Sequence, residues 1–201
     1  MPAMSAVDWR HRKGAGTVER VSKGFYLGSI IVGVVFCFLM LAADLLVARA
    51  EEPLPALIIL LGLAGLVFAV VMLMVLLYKM WAAIQGAGAR TTPGRAVGFL
   101  FIPFFNLYWI FQACWGWTKD YNKALPQRGL SAPRAPEGIT LAMCILTFLT
   151  WIPIAGQLLA LLNFVFLIIF LNAGCDGINA LAAHPAHISA PEGPPPLARP
   201  T

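Results

Sequence analysis

An all-α integral membrane protein, with four transmembrane helices and one re-entrant helical hairpin, is the fold class that three observations predict. The first is composition: 60% hydrophobic residues, 11% charged residues and a mean hydropathy of +0.80 over 201 residues lie well outside the range of soluble domains. The second is that the apolar residues fall into long runs separated by short polar or proline-rich segments. The third is the placing of the basic residues. They sit in short segments beside the apolar runs, so the net charge of +5 reads as a topology signal and an attraction to anionic headgroups, not as a nucleic-acid footprint.

Residues 1–23 carry Arg10, Arg12, Lys13, Arg20 and Lys23 without apolar periodicity and read as a cytosolic basic arm. The run that follows, about 24–48, is too long for the core of a signal peptide and is expected to be an uncleaved first span. Gly24, Gly28 and Gly33 on it, and Gly65 and Ala69 on the second span, about 54–81, form small-residue packing faces. Asp44 lies near the outer end of the first span, within reach of headgroups or Arg49. Pro53 and Pro55 suit the first turn of the second helix, and Tyr78, Lys79 and Trp81 suit an interfacial anchor at its end. Gln85 to Gly94 is glycine-rich, but no Gly-Lys-Ser/Thr follows it, so a turn is expected and not a phosphate loop.

The stretch Arg95 to Asn122 decides the topology. Ala96 to Trp117 as one helix is long enough to cross, at about 33 Å, so five spans with a kinked third helix is the alternative. A single crossing would carry Lys119, Lys123, Arg128, Arg134 and Arg199 to the outer side. A hairpin that enters and leaves on the cytosolic side leaves Arg49 alone outside, as the positive-inside rule prefers. The re-entrant hairpin is therefore placed at about 96–118, with Pro103 ending a first leg and Asn106 capping the second. Asn106 and Gln112 are expected to satisfy backbone groups that such a turn exposes.

Gly138 to Ala173 is apolar throughout. One unbroken helix of that length, about 54 Å, would overshoot a hydrocarbon core of about 30 Å. Pro153 and Gly156 supply the break, giving spans at about 138–152 and 156–181 and a membrane domain over 24–183. The Pro-rich tail, 184–201, is expected to be disordered, and His184 and His187 within it are not expected to bind metal. The turn at Pro103 is echoed at Pro153, and Asp120 with Asn122 is echoed by Asp176 with Asn179, which suggests an internal repeat whose second hairpin reaches about 10 Å deeper.

For catalysis the apolar region would need a carboxylate pair, a histidine with a nucleophile, or a metal cluster, and it offers none of these patterns. The four cysteines are scattered singly in apolar runs and no histidine lies in a span, so no enzyme activity, metal or cofactor is expected. Gln112, Asp120, Asn122, Asp176 and Asn179 form the candidate polar cluster, at the cytosolic mouth of the bundle. Lys79, Lys119 and Lys123 are the expected partners of the two acids, in interfacial ion pairs or helix caps. The aromatics between Phe99 and Trp117 suit packing and the interface.

The segments YKMW (78–81), TPGRAVGFLFIPFFNLYW (92–109) and WTKDYN (117–122) resemble a family of bacterial multi-pass membrane proteins with a Gly-Phe-x-Phe-Ile-Pro-Phe-Phe-Asn-x-Tyr-Trp core. The resemblance covers about residues 75–180. It implies the bacterial cytoplasmic membrane and transfers no catalytic residue; some relatives join a similar module to cytosolic adaptor domains, which this sequence lacks. The expected function is a non-enzymatic scaffold or accessory subunit with both termini cytosolic, whose partners are membrane lipids and a second copy or a larger complex. The alternative is a small channel or transporter with broken helices at Pro103 and Pro153 and polar contacts from Asn106, Gln112, Gln157 and Asn163.

Overall fold

The computed structural model describes residues 18–47, 54–150, 152 and 155–184. Arg10, Arg12, Lys13, Arg49, Pro153 and His187, together with the side chains of Asp44 and Gln157, lie outside the described residues. Every regular element is helical: α1 (Lys23–Val47), α2 (Leu54–Ala83), α3 (Pro93–Gly98), a 3₁₀ turn (Phe99–Phe101), α4 (Phe105–Ile110), a π turn (Phe111–Trp115), α5 (Gly116–Gln127), α6 (Glu137–Leu149) and α7 (Ala155–Ala183).

Three of these, α1, α2 and α7, are long and apolar enough to cross a membrane. They are apolar all round and carry large outward-facing side chains such as Leu60, 62% exposed, and Leu158, 74% exposed. In water such surfaces would associate; in lipid they are the solvated state. α6 has 13 residues, about 20 Å, and is too short to cross alone.

α1 and α2 form an antiparallel pair with the backbones in close approach. A Cβ added to Gly33 would lie 2.7 Å from the Gly65 carbonyl oxygen and 2.9 Å from the Ala69 methyl, and one on Gly62 would lie 2.9 Å from Met40. The face made by Gly33, Gly65 and Ala69 is thus used inside the chain, because only small residues let two helices touch at the backbone. Gly24 and Gly28 have open space around them and take no part in that contact.

The end of α2 is buried, so its last carbonyls need donors from elsewhere in the chain. Met80 O accepts from Trp117 Nε1 at 2.8 Å, Trp81 O from Gln85 Nε2 at 2.9 Å, Ala82 O from the Gln85 amide at 3.3 Å and Ala83 O from Arg128 Nη1 at 3.4 Å. The chain then turns through Gly86 and Gly88, with φ of 81° and 74°, where a side chain would be strained.

α6 starts and α7 ends at the polar end of the bundle. Asn179 and Asp176 of α7 hold Val21 and Lys23 at the start of α1, while Asn122 of α5 holds Ala135 and Glu137 at the start of α6. The break between α6 and α7 falls at Thr150 to Ala155. Gly156 is required there, since a Cβ on it would collide with the Thr150 carbonyl oxygen. Within the pair, Asn163 Nδ2 donates to Thr147 Oγ1 at 3.1 Å.

Because the obstacle at Gly33 is backbone, Gly33→Ala should lower the unfolding free energy in detergent by about 1–3 kcal/mol. Gly24→Ala should leave it unchanged or slightly raised, since it gains helix propensity in open space. Equal effects of the two, measured by denaturation in mixed micelles, would contradict the close-packed pair.

Candidate functional site

The site is the helical hairpin of residues 93–117, continued by α5, and the polar contacts at its base. Pro93 stands at the first turn of α3, where its missing N–H costs nothing. The first leg ends in the 3₁₀ turn, and the chain reverses over Ile102 to Phe104. Phe104 adopts φ 63° and ψ −40°, a conformation that costs a residue with a side chain about 1–3 kcal/mol.

Aromatic packing between the legs holds that reversal in place. Phe99 meets Phe105 edge-on at 5.5 Å and Trp109 at 4.7 Å, Phe105 stacks on Trp109 at 5.5 Å, and Trp109 Nε1 donates to Ala96 O at 3.0 Å. Backbone bonds close the turn, from Phe105 N to Pro103 O at 2.7 Å and from Asn106 N to Ile102 O at 3.0 Å. The sequence expectation is corrected here. Phe104, not Asn106, is the N-cap, no side chain caps the leg, and Asn106 is exposed in its first turn. The turn instead presents an apolar tip, with Phe101 67%, Phe104 87% and Tyr108 58% exposed.

The base of the hairpin is locked to α2. Trp81 Nε1 donates to Ala113 O at 2.9 Å while Trp117 Nε1 donates to Met80 O at 2.8 Å, a crossed pair of indole–carbonyl bonds between fully buried side chains. Ala113 lies in the π turn, whose wider winding breaks the regular helical ladder beside Trp81. Trp81 is therefore a core residue and not part of the interfacial anchor that its neighbours Tyr78 and Lys79 suggested. Trp117 also stacks on Tyr121 at 5.1 Å, and the Phe111 ring stacks on Phe148 of α6 at 5.7 Å.

Among the described residues Asp120, only 6% exposed, is held by Arg90 alone. The Arg90 backbone N–H donates to Oδ2 at 2.9 Å, Nε to the same oxygen at 3.0 Å, and Nη2 to Oδ1 at 2.8 Å. The hydrogen bond to Asp120 raises the guanidinium pKa against the opposing effect of burial. The arginine side chain lies against Gly116, where a Cβ would stand in ordinary contact, 3.4 Å from Arg90 Cδ. Arg90 Nη1 continues to Gln112 Oε1 at 3.3 Å, and Gln112 Nε2 to the Tyr108 hydroxyl at 2.7 Å. A polar chain thus runs from the buried base toward the exposed tip. Gln112 serves this chain and not the turn.

Asn122 and Asn179 act alike. Asn122 Oδ1 accepts from Ala135 N at 2.8 Å and its Nδ2 donates to Ala135 O at 3.0 Å; Asn179 makes the same two bonds to Val21, at 2.8 and 3.0 Å. Each carboxamide grips the residue two places before a helix, α6 or α1. Asp176 pairs with Lys23 at the same junction.

The expected partners of the acids are also corrected. Asp120 takes Arg90 and Asp176 takes Lys23, whereas the Lys79 ammonium lies 5.8 Å from the Tyr26 ring centroid and that of Lys119 lies 3.4 Å from the Trp115 centroid. The five polar residues are not one cluster. Gln112 and Asp120 share Arg90, Asn122 holds the start of α6, and Asp176 with Asn179 holds the start of α1.

Arg128 and Tyr121 complete the base. Arg128, whose pKa burial pushes down, also donates to Gln85 O at 3.0 Å. The Tyr121 hydroxyl donates to Pro133 O at 3.2 Å, and burial, with Asp176 nearby, raises its pKa and keeps the phenol neutral. Sequence reasoning missed Arg90, Arg128 and the two indole donors. Their partners lie 30 to 45 residues away, so no local spacing marks them.

Chemically these groups are committed to holding the fold. The Asp120 carboxylate is occupied by its arginine through the backbone N–H, Nε and Nη2. Among the described residues no set of three or more His, Cys, Asp or Glu gathers to hold a metal. Searched against protein families, curated proteins and solved structures, the chain matches none.

Replacing Trp117 with Phe keeps a ring in place but leaves Met80 O without its donor, and should cost about 1–3 kcal/mol. The measurement is unfolding in detergent. Trp109→Phe, which removes a bond at a partly exposed site, should cost less.

Proposed function

We propose that the protein is a non-enzymatic membrane scaffold or accessory subunit of a bacterial cytoplasmic membrane, in which the 93–117 hairpin is a re-entrant wedge in the cytosolic leaflet. The observation that carries this reading is the contrast within the hairpin, between a base locked by buried indoles and a paired carboxylate and a tip that is aromatic and exposed. The first leg, Pro93–Phe101, is about 14 Å long, half of a hydrocarbon core of about 30 Å. A tip of that depth and chemistry belongs among acyl chains, where its exposure costs nothing.

The same reading takes the chain across the membrane four times, with both termini cytosolic. Its support is that α6 starts and α7 ends at one end of the bundle, so the pair crosses an even number of times; the third crossing, about 138–152, is built on α6. The basic residues of the 79–95 and 119–134 segments then share one side with the start of α1. Gly33, Gly65 and Ala69 are already packed within the chain, so association with a second copy or a larger complex uses the outer apolar faces of α1 and α2. Asn106, Gln112 and Asn163 have three different surroundings and do not favour a channel path.

Single cysteines at Gln127 and Ser131, both exposed, test the topology in a background without native cysteines. An impermeant thiol reagent should label them in inverted membrane vesicles and not in intact cells; labelling from outside would sink the hairpin. Reconstituted protein should reduce the mean diameter of liposomes, and Phe101→Ser with Phe104→Ser should abolish the effect. Solute flux through the same liposomes, lost in Gln112→Leu, would replace the scaffold with a channel.

A further inference from the structure

We propose that the depression between α5 and the start of α6 binds the phosphate of an anionic membrane lipid. Lys119, Asn122, Lys123, Arg134 and Glu137 line this open hollow of about 340 Å³. Three cations face one carboxylate, and that carboxylate already accepts a bond from Asn122 Nδ2 at 2.8 Å. None of the three cations forms an ion pair with an acid among the described residues. The hollow is thus an excess of positive charge in a concave surface, which a phosphodiester would neutralise.

The hollow is assembled, not merely a basic stretch of sequence. Lys119 and Lys123 share one face of α5, one helical turn apart. Arg134 comes from the connecting segment and reaches that face because Asn122 grips its neighbour Ala135 through both backbone groups. The carboxamide therefore sets the position of the third cation.

The depth of the hollow argues for a lipid. The Lys119 ammonium lies 3.4 Å over the ring of Trp115, a partly exposed indole of the kind that marks headgroup level. A bound lipid would rest its glycerol and upper acyl carbons against that ring while its phosphate meets the three cations. Three other cations of the polar end are engaged elsewhere: Arg90 with Asp120, Lys23 with Asp176 and Arg128 with carbonyls at the end of α2. The inference rests on the membrane reading of the bundle but not on the hairpin topology, which thiol labelling tests separately.

The test is native mass spectrometry of the full chain in detergent, titrated with phosphatidylglycerol and, in parallel, phosphatidylcholine. The wild type should retain phosphatidylglycerol preferentially. Lys119→Gln, Lys123→Gln and Arg134→Gln combined should weaken that binding at least about tenfold, whereas Arg20→Gln, Lys79→Gln and Arg95→Gln combined should change it less than about twofold. Asn122→Ala, which keeps every cation, should also weaken it, with helicity by circular dichroism confirming that the chain is folded. Equal loss in the two triple variants would reduce the effect to net charge and overturn the site. Retention of phosphatidylglycerol by the first triple variant would overturn it directly. Displacement of the lipid by inorganic phosphate at millimolar concentration would assign the hollow to a free anion and overturn the lipid.

Discussion

Two indoles exchanged between neighbouring elements hold this structure together. The end of α2 and the base of the hairpin meet where little water reaches, and every unpaired carbonyl there carries a desolvation cost. Trp81 supplies a donor to the hairpin and Trp117 supplies one to α2, so each element satisfies the other's backbone. Because the π turn displaces the helical ladder at Ala113, the second leg depends on α2 for a complete set of bonds. The base of the hairpin is therefore fixed in a single register, and the strained residue Phe104 is tolerable at the far end.

The polar residues extend the same logic to the chain junctions. A carboxamide that pairs with both backbone groups of one residue does what a neighbouring strand would do, in a protein whose regular elements are all helical. Asn122 does this for Ala135 and Asn179 for Val21, each two residues before a helix begins. The two contacts give the sequence echo between Asp120/Asn122 and Asp176/Asn179 a shared physical task. They also close the bundle, since the last helix holds the start of the first across 158 residues of sequence. Asp120 and Asp176 each neutralise a base near a junction.

The turn near Pro103 was legible from the proline, whereas the length of the run, about 33 Å as one helix, also allowed a single crossing. The residue that makes the turn was not legible. Asn106 has the side chain of a cap, but packing among Phe99, Phe105 and Trp109 carries the reversal, and Phe104 is forced to positive φ by its neighbours. The acids were picked out as residues closing hairpin legs, yet their partners were sought among Lys79, Lys119 and Lys123, which the expected topology brings to the same end. Arg90 was overlooked because nothing in a glycine-rich turn announces that its arginine will fold back 30 residues onto Asp120.

Composition and run length by themselves determined that the chain is helical, with apolar helices long enough to cross a membrane, because a lipid core would penalise unpaired backbone wherever it occurs. Those properties are summed along the chain and need no partner to be read. Which carbonyl a tryptophan satisfies, which cation neutralises Asp120 and which glycines touch another helix depend on pairs of residues brought together from distant positions. Gly33 and Gly24 look alike in sequence, yet one meets Gly65 at backbone distance and the other meets nothing. Only the three-dimensional packing of α1 on α2 separates them, since close approach is a property of two helices and not of one.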